Sequence, residues 1–336
     1  MINLISNTER IAPDRGPHKV FMNLVKGLDL LGYPYVVNRD LRATRRLWIN
    51  YDVGALRYLR RTDARAVVGP NLFSIPADIP PALDLSGCLY VHPGSWVVDV
   101  WKGLGYEGPL ATWASGIDTE EFRPRGAARR HARPRALVYY KRRTKSDLDV
   151  VLRALQARGV PFSVMVYGCY TQSEFLEGLD EADFVVWIGC AETQGIALQE
   201  ALACDVPVLV CDATSLLQEV GSPSIARAGD GFRVTSAPYF DQRCGDLVDS
   251  VTDFALSLDQ FMEKLGGYEP REYVLENLGL EKQARAFVDL WGTFGMTYEA
   301  GIDEGIRCGG KWKGLSEVGI LRYRVTDKLQ RWWMAR

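Results

Sequence analysis

The chain predicts an α/β fold: two Rossmann-like domains on parallel sheets, with a C-terminal helical extension. Three observations carry this. Short apolar runs alternate with amphipathic segments of helical length, the pattern of stacked βα units. A stretch rich in glycine, proline and arginine at 123–135 divides that series in two. And 336 residues are long for one core and comfortable for two domains.

In the first third, strands are expected at INLIS, YVVN, LWIN, AVVGPN, CLYVH and LATWAS. The helices between them are KVFMNLVKGLDLLG, VGALRYLRR and WVVDVWKGLG. In the first helix Val20, Leu24, Leu28 and Leu31 recur at three- and four-residue steps, and Gly32 stands at its end. After the linker, RALVYY leads to a helix from Ser146, with Asp149 completing a capping box and Gly159 near its stop. FSVMVYG, a helix opened by Thr171 and Glu174, DFVVWIG and VPVLVC follow. DLVDSVTDFALSLDQFMEKLG and LEKQARAFVDLW read as closing helices. The expected boundaries are 1–120, 134–285 and a closing helix with its tail at 286–336.

Composition narrows the class. Apolar residues at 47% and charged residues at 24% are the balance of a globular protein. A net charge of −2 supplies no general attraction to nucleic acid, and no such partner is expected. No apolar run approaches the roughly 18–20 residues of a membrane span, and the start lacks a secretory layout. Seven dispersed cysteines without a C-x-x-C pair read as reduced thiols in a cytoplasmic protein. Basic residues cluster locally, with ten Lys or Arg against two Glu between Thr119 and Lys145.

The tail differs. Val318, Leu321, Val325, Leu329 and Trp332 form one helical stripe, with Arg322, Arg324, Lys328, Arg331 and Arg336 around it. Two readings fit: a last helix packed on the body, or a basic helix over residues 315–336 lying on the inner face of an anionic membrane.

In open parallel sheets, ligands bind beyond the carboxyl ends of the strands. The residues there are Asn7, Arg39, Asn50, Asn71 and His92, then Lys141, Gly168 and the loop 190–195. The set is polar, partly basic and poor in paired acid–base groups, which suits an anionic, hydroxyl-rich ligand. The segment ETQGIALQEALACDVPV says most. Glu192 precedes a helix that opens near Thr193–Gly195, and Glu200 lies about one turn past Ile196. Free N–H groups of a first helical turn, at the positive end of the dipole, bind phosphate. Gly195 admits a ligand close to the backbone. A carboxylate accepts from both hydroxyls of a diol. Two such clamps around an anion site fit ribose, diphosphate and hexose. Lys141 and Lys145, after the first strand of the same domain, offer cations to the diphosphate. Each signal is weak alone; their joint placement at strand ends of one domain gives them force.

On ETQGIALQEALACDVPV, GIDTEEFRP, YYKRRTKSDLDVVLRAL and REYVLENLGLEKQARAFVDLW, residues 1 to about 292 resemble the GT-B-fold glycosyltransferases. The resemblance is to the retaining family 4 in particular, whose hallmark is Glu-x7-Glu. It implies a nucleotide-diphosphate sugar donor held by the second domain. It implies an acceptor, whether glycan, lipid-linked or small molecule, held mainly by the first. It implies Lys141 or Lys145 at the diphosphate, with Arg142 a third candidate. Glu192 and the Gly195–Ile196 amides are then at sugar and phosphate, Glu200 at the ribose, and His92 near the reacting sugar. Gly16, in DRGPHKVF, falls at the family's glycine-rich first loop. Retention of configuration is implied, with no metal and no cofactor; Asp147-Leu148-Asp149 opens a helix, where acids favour the dipole. The chain departs from the family pattern in having one glycine in that first loop and no Gly-Arg in the basic loop.

Three other classes fit parts of the pattern. One is a sugar-nucleotide isomerase or epimerase on the same scaffold. A second is a nicotinamide dehydrogenase, against which stands the lack of G-x-G-x-x-G after a strand. The third is a catalytically silent binding subunit.

Overall fold

The computed structural model describes residues 1–8, 11, 15–70, 72–125, 132–221, 228–229 and 231–295. The first series is β1 (Ile2–Ser6), α1 (Gly16–Leu30), β2 (Tyr35–Val37), β3 (Arg46–Asn50) and α2 (Val53–Leu56). It continues with β4 (Arg65–Val68), β5 (Cys88–His92), α3 (Ser95–Gly103) and β6 (Leu110–Thr112). Its six strands lie in the order β2-β1-β3-β4-β5-β6, every pairing parallel.

The second series opens with β7 (Ala136–Tyr140), α4 (Lys145–Ala157), β8 (Phe162–Val166) and α5 (Gln172–Glu181). Then come β9 (Phe184–Ile188), α6 (Ile196–Ala203), β10 (Val208–Cys211) and β11 (Gly245–Val248). These five strands are also parallel, in the order β11-β10-β9-β7-β8. The described residues end with α7 (Phe254–Lys264), α8 (Pro270–Asn277), α9 (Leu280–Asp289) and a 3-10 turn at Leu290–Phe294. Both sheets of the expected α/β fold are present. All residues of β1, β5, β9 and β10 are buried, which explains why these strands are apolar runs rather than alternating ones.

The chain divides into two compact units. One holds Met1–His92, Trp101–Trp113 and the described residues from Ala284; the other holds Pro93–Val100 and Ala114–Gln283. In the first, Trp48 of β3 stacks on Phe21 of α1 at 5.9 Å and meets Phe287 of α9 edge-on at 5.4 Å. Each fully buried aromatic of this kind contributes about 2–3 kcal/mol. In the second, Tyr139 and Trp187 from adjacent strands stack at 3.9 Å within a core shared with Phe175, Leu198 and Leu202.

Three local expectations are corrected. DLV, expected in a helix, belongs to the edge strand β11, and helix resumes only at Phe254. The helix expected from Ser146 starts one residue earlier, and Thr144 caps it by accepting from Asp147 N–H. VGALRYLRR is broken into α2 and a 3-10 turn at Leu59–Arg61. The Thr171–Glu174 capping box is formed as expected. The amphipathic stripe of residues 315–336 and Cys308 lie outside the described residues. No helix among the described residues is long and apolar enough to cross a membrane.

Candidate functional site

The second sheet places a crevice by its topology alone. From β7 the chain crosses to β8 on one side, and from β9 onward it builds on the other, so β7 and β9 are neighbours whose connections diverge. Ligands of open α/β sheets bind at such a switch point, at the carboxyl ends of the strands. The residues there are Lys141 after β7 and the loop 189–195 after β9. Lys141 N–H still donates to Ile188 O at 2.9 Å, so the two strands stay in register up to the edge of the crevice.

The loop after β9 is held from several directions. Glu192 N–H donates to Thr235 O at 2.9 Å, and the Trp96 indole N–H donates to Glu192 O at 2.9 Å. The Gln194 amide bridges both backbone groups of Ser115, accepting from its N–H at 3.0 Å and donating to its carbonyl at 2.8 Å. Gln199 in turn donates to Gln194 O at 2.9 Å. Both glutamine side chains are buried, and buried amides with satisfied partners rigidify what they hold. Thr235 and Ser236 are tied to the end of β10 through Asp212, whose carboxylate accepts from Thr235 Oγ1 and the Ser236 amide. A Cβ on Gly94 would approach Thr193 O to 2.5 Å, so glycine is required for this packing.

Gly195 caps α6 with φ of +78°, a conformation that favours glycine. Space is not the constraint, since a Cβ there would meet nothing closer than 3.7 Å. The turn leaves the N–H groups of Ile196, Ala197 and Leu198 without acceptors among the described residues, the arrangement that receives an anion. The α6 helix buries six consecutive residues from Leu198 to Ala203, including Glu200 at 1% exposure. Glu200 lies close enough to the Tyr170 hydroxyl to help burial, the larger effect, hold that phenol protonated, raising it to about 12.

The basic loop after β7 is less free than its letters suggest. Lys141 Nζ donates to both oxygens of Glu192, at 2.7 and 2.9 Å, and sits over the Tyr167 ring. Arg142, in the left-handed region at φ of +50°, pairs with Glu219 at 3.0 Å. Arg143 pairs with Asp147 at 2.9 Å. Burial opposes the charges of Lys141 and Arg142, but the facing carboxylates more than offset it, and both groups are held more firmly protonated than usual. Burial pushes Glu219 the other way, above the usual carboxylate range, against the pull of Arg142. Lys145 is exposed at the first turn of α4, with no partner among the described residues.

Sequence reasoning passed over Arg143 and Glu219. Arg143 is buried, and its Nη1 donates to Gly189, Cys211 and Asp212 carbonyls at 3.1–3.3 Å, closing the ends of β9 and β10. Its i,i+4 spacing to Asp147 was the one available signal. For Glu219, 77 residues from Arg142, there was none.

In the first unit, His92 ends β5, buried against the rings of Tyr90 and Trp101 at 4.8 and 4.4 Å. Its Nε2 has no hydrogen-bond partner among the described residues, and burial lowers its ionisation from 6.5 to about 3. Above pH 6.5 the imidazole is neutral folded or unfolded. As pH falls below 6.5 only the unfolded chain takes up the proton, so stability drops by about 1.4 kcal/mol per unit until about pH 3. A His92→Phe chain should therefore lose about 2 kcal/mol less than the native chain between pH 6.5 and 5, measured by denaturant titration. Equal losses would place the acid sensitivity elsewhere. Gly16 is the first residue of α1. Asn50 ends β3 fully buried, with neither side-chain polar atom paired among the described residues.

No protein-family model and no curated protein matches the chain. Solved structures do. Sucrose-phosphate synthase from Thermosynechococcus elongatus, 13% identical, superposes with a TM-score of 0.59 over 87% of this chain and 98% of its own. The lipopolysaccharide outer core galactosyltransferase WaaB is 11% identical, with a TM-score of 0.53 over 87% of this chain and 99% of its own. The DNA modifying enzyme beta-glucosyltransferase is 10% identical, with a TM-score of 0.51 over 85% and 98%. The fold is GT-B. At these identities the likeness speaks for GT-B architecture; the residues that would act within it rest on the geometry above.

Proposed function

We propose that this chain is a glycosyltransferase that moves a hexose-type sugar from a nucleotide-diphosphate donor to an acceptor hydroxyl, with retention and without a metal. One observation carries the reading. At the switch point of the second sheet, first-turn amides of α6 without acceptors among the described residues lie, along the chain, between two buried acidic residues, Glu192 and Glu200. The amides suit a diphosphate, with a cation from the loop after β7. Glu200 suits the ribose diol and Glu192 the hydroxyls of the sugar. The first unit is the candidate for acceptor recognition, and His92 is the residue in it to test.

In the reaction the bond from the anomeric carbon to the β-phosphate oxygen breaks, and the acceptor oxygen bonds to that carbon from the same face. The proton of the acceptor hydroxyl passes to the departing phosphate. The protein's part is positioning and stabilisation of charge that grows on the diphosphate. Asp147 lies in the first turn of α4 and accepts from Arg143, which favours the metal-free reading.

The test is a melting-temperature panel with UDP, GDP and ADP and their hexose conjugates. A ligand at a hundred times its dissociation constant stabilises the native state by about 2.7 kcal/mol. Uridine diphosphoglucose is the first donor to try, being the substrate of the beta-glucosyltransferase neighbour. One nucleotide series should raise the midpoint, and its sugar conjugate should turn over with an acceptor. No shift with any of the six would reject the function. Nucleotide release without an acceptor would favour isomerisation.

A further inference from the structure

We infer that β8 is a docking edge for a second copy of this chain, the two β8 strands pairing antiparallel across a twofold axis at Val164. The edge belongs to the second sheet alone and takes no part in the proposed function.

Four strands end the two sheets: β2 and β6 in the first, β11 and β8 in the second. Folded proteins keep such edges from pairing by making them short or charged. β2 and β6 have three residues each, and Asp246 of β11 binds Lys264 and Tyr268. β8 has five residues, and no charged residue lies anywhere from 159 to 173. Its bonding phase is fixed at both ends. Ala136 N–H donates to Pro161 O and Tyr167 N–H donates to Tyr140 O, each at 2.9 Å, so the odd-numbered residues face β7. Phe162, Val164 and Val166 therefore turn their backbone groups outward. Of these groups only the Val166 carbonyl has a partner among the described residues, the Cys169 N–H at 3.0 Å. The outward residues are symmetric about Val164, and that symmetry selects the occupant. In a copy turned by half a revolution, Val164 exchanges both bonds with the partner subunit's Val164. Val166 N–H then donates to the carbonyl of the partner subunit's Phe162, and Phe162 N–H takes the second lone pair on the carbonyl of the partner subunit's Val166. An unrelated strand would gain nothing from that symmetry. The three side chains share one face of the strand. Phe162 packs on the core that holds Val151 and Leu155 of α4, while Val164 and Val166 stay 41% and 38% exposed. Pairing sets Val164 against its counterpart and Val166 beside Phe162, and takes both valines from water. The axis uses up the edge on both copies, so the assembly closes at a dimer.

An edge pair of this length is smaller than a standard interface, so the expected dissociation constant is about 1–50 μM. Sedimentation velocity of the full chain, over concentrations that bracket this range, should show monomer passing into dimer and nothing larger. Val164→Thr keeps the strand and adds no charge, and should dimerise as the native chain does. Val164→Lys sets two ammoniums opposite each other at the axis, and should weaken the dimer about thirtyfold or more. Val164→Pro removes an outward N–H and spares the ladder to β7, so it should do the same. Amide hydrogen exchange at single-residue resolution needs no variant. The Val164 and Val166 amides should be protected in concentrated protein and exchange fast in dilute protein, while those of Ser163 and Met165, which face β7, are protected in both. A Val164→Lys chain that melts far below the native one would pass the decision to Val164→Pro and the exchange pattern. The dimer is overturned by a full chain that sediments as a monomer throughout, by Val164→Lys and Val164→Pro chains that both dimerise as tightly as Val164→Thr, or by Val164 and Val166 amides that exchange alike at both concentrations.

Discussion

Replacing Glu200 by glutamine is expected to weaken UDP binding roughly a hundredfold, with the melting temperature almost unchanged. A carboxylate that receives both hydroxyls of a ribose makes two hydrogen bonds to a charged acceptor, each worth about 1.5–3 kcal/mol. Glutamine keeps the size of the side chain but offers one acceptor oxygen, and its amide presents donors to a donor. Glu200 is buried within α6 beside a helix packed on the sheet, so the isosteric change spares the packing that a truncation would open. Calorimetry with UDP reads the affinity and circular dichroism the fold. Binding within threefold of the native chain would move the ribose away from α6 and remove one of the two clamps on which the functional reading stands. The companion change, Glu192→Ala, should abolish sugar transfer while circular dichroism stays native. Transfer that survives both changes would leave a binding subunit as the better description.

Gly245→Ala is expected to cost about 4 kcal/mol of stability, from a forbidden backbone conformation and from overpacking together. The residue opens β11 with φ of +136°, a region L-residues rarely enter, and a Cβ there would collide with the carbonyl of Val208. Val208 N–H donates to Cys244 O at 2.9 Å and anchors the register of β10 against β11. Loss of this edge reaches the site, because Asp212, just beyond β10, carries the hydrogen bonds that steady Thr235 and, through it, Glu192. Urea unfolding measures the cost. Gly267→Ala is the control, since nothing lies within 4 Å of its added methyl group. A Gly245→Ala chain as stable as the control would contradict the geometry of this strand.

Local patterns made most of the architecture legible. The apolar runs of β7, β9 and β10 and the Thr171–Glu174 box report on themselves within a few residues, because strand burial and helix capping are short-range matters. The same logic failed at β11. It is four residues long, and Leu247 on it is exposed, as edge strands permit. A helical pattern begins soon after, so no run of buried residues announced a strand. At the site, Glu192 and Glu200 were legible from their spacing around Gly195. The cations were not. Their letters suggest three or four interchangeable charges, whereas the fold spends each of the first three on its own partner.

The sequence by itself determined the two βα series, the glycine that turns the chain into α6 and the carboxylates on either side of it. Each follows from neighbours in the chain, through periodicity, capping and the conformational freedom of one residue. Only the tertiary structure decided that Lys141 belongs to Glu192, Arg142 to Glu219, and that Trp96 and Gln194 steady the loop between strand and helix. Those partners lie 51, 77, 96 and 79 residues apart along the chain. Coulomb and hydrogen-bond energies depend on distance in space, and no pattern of letters carries that distance.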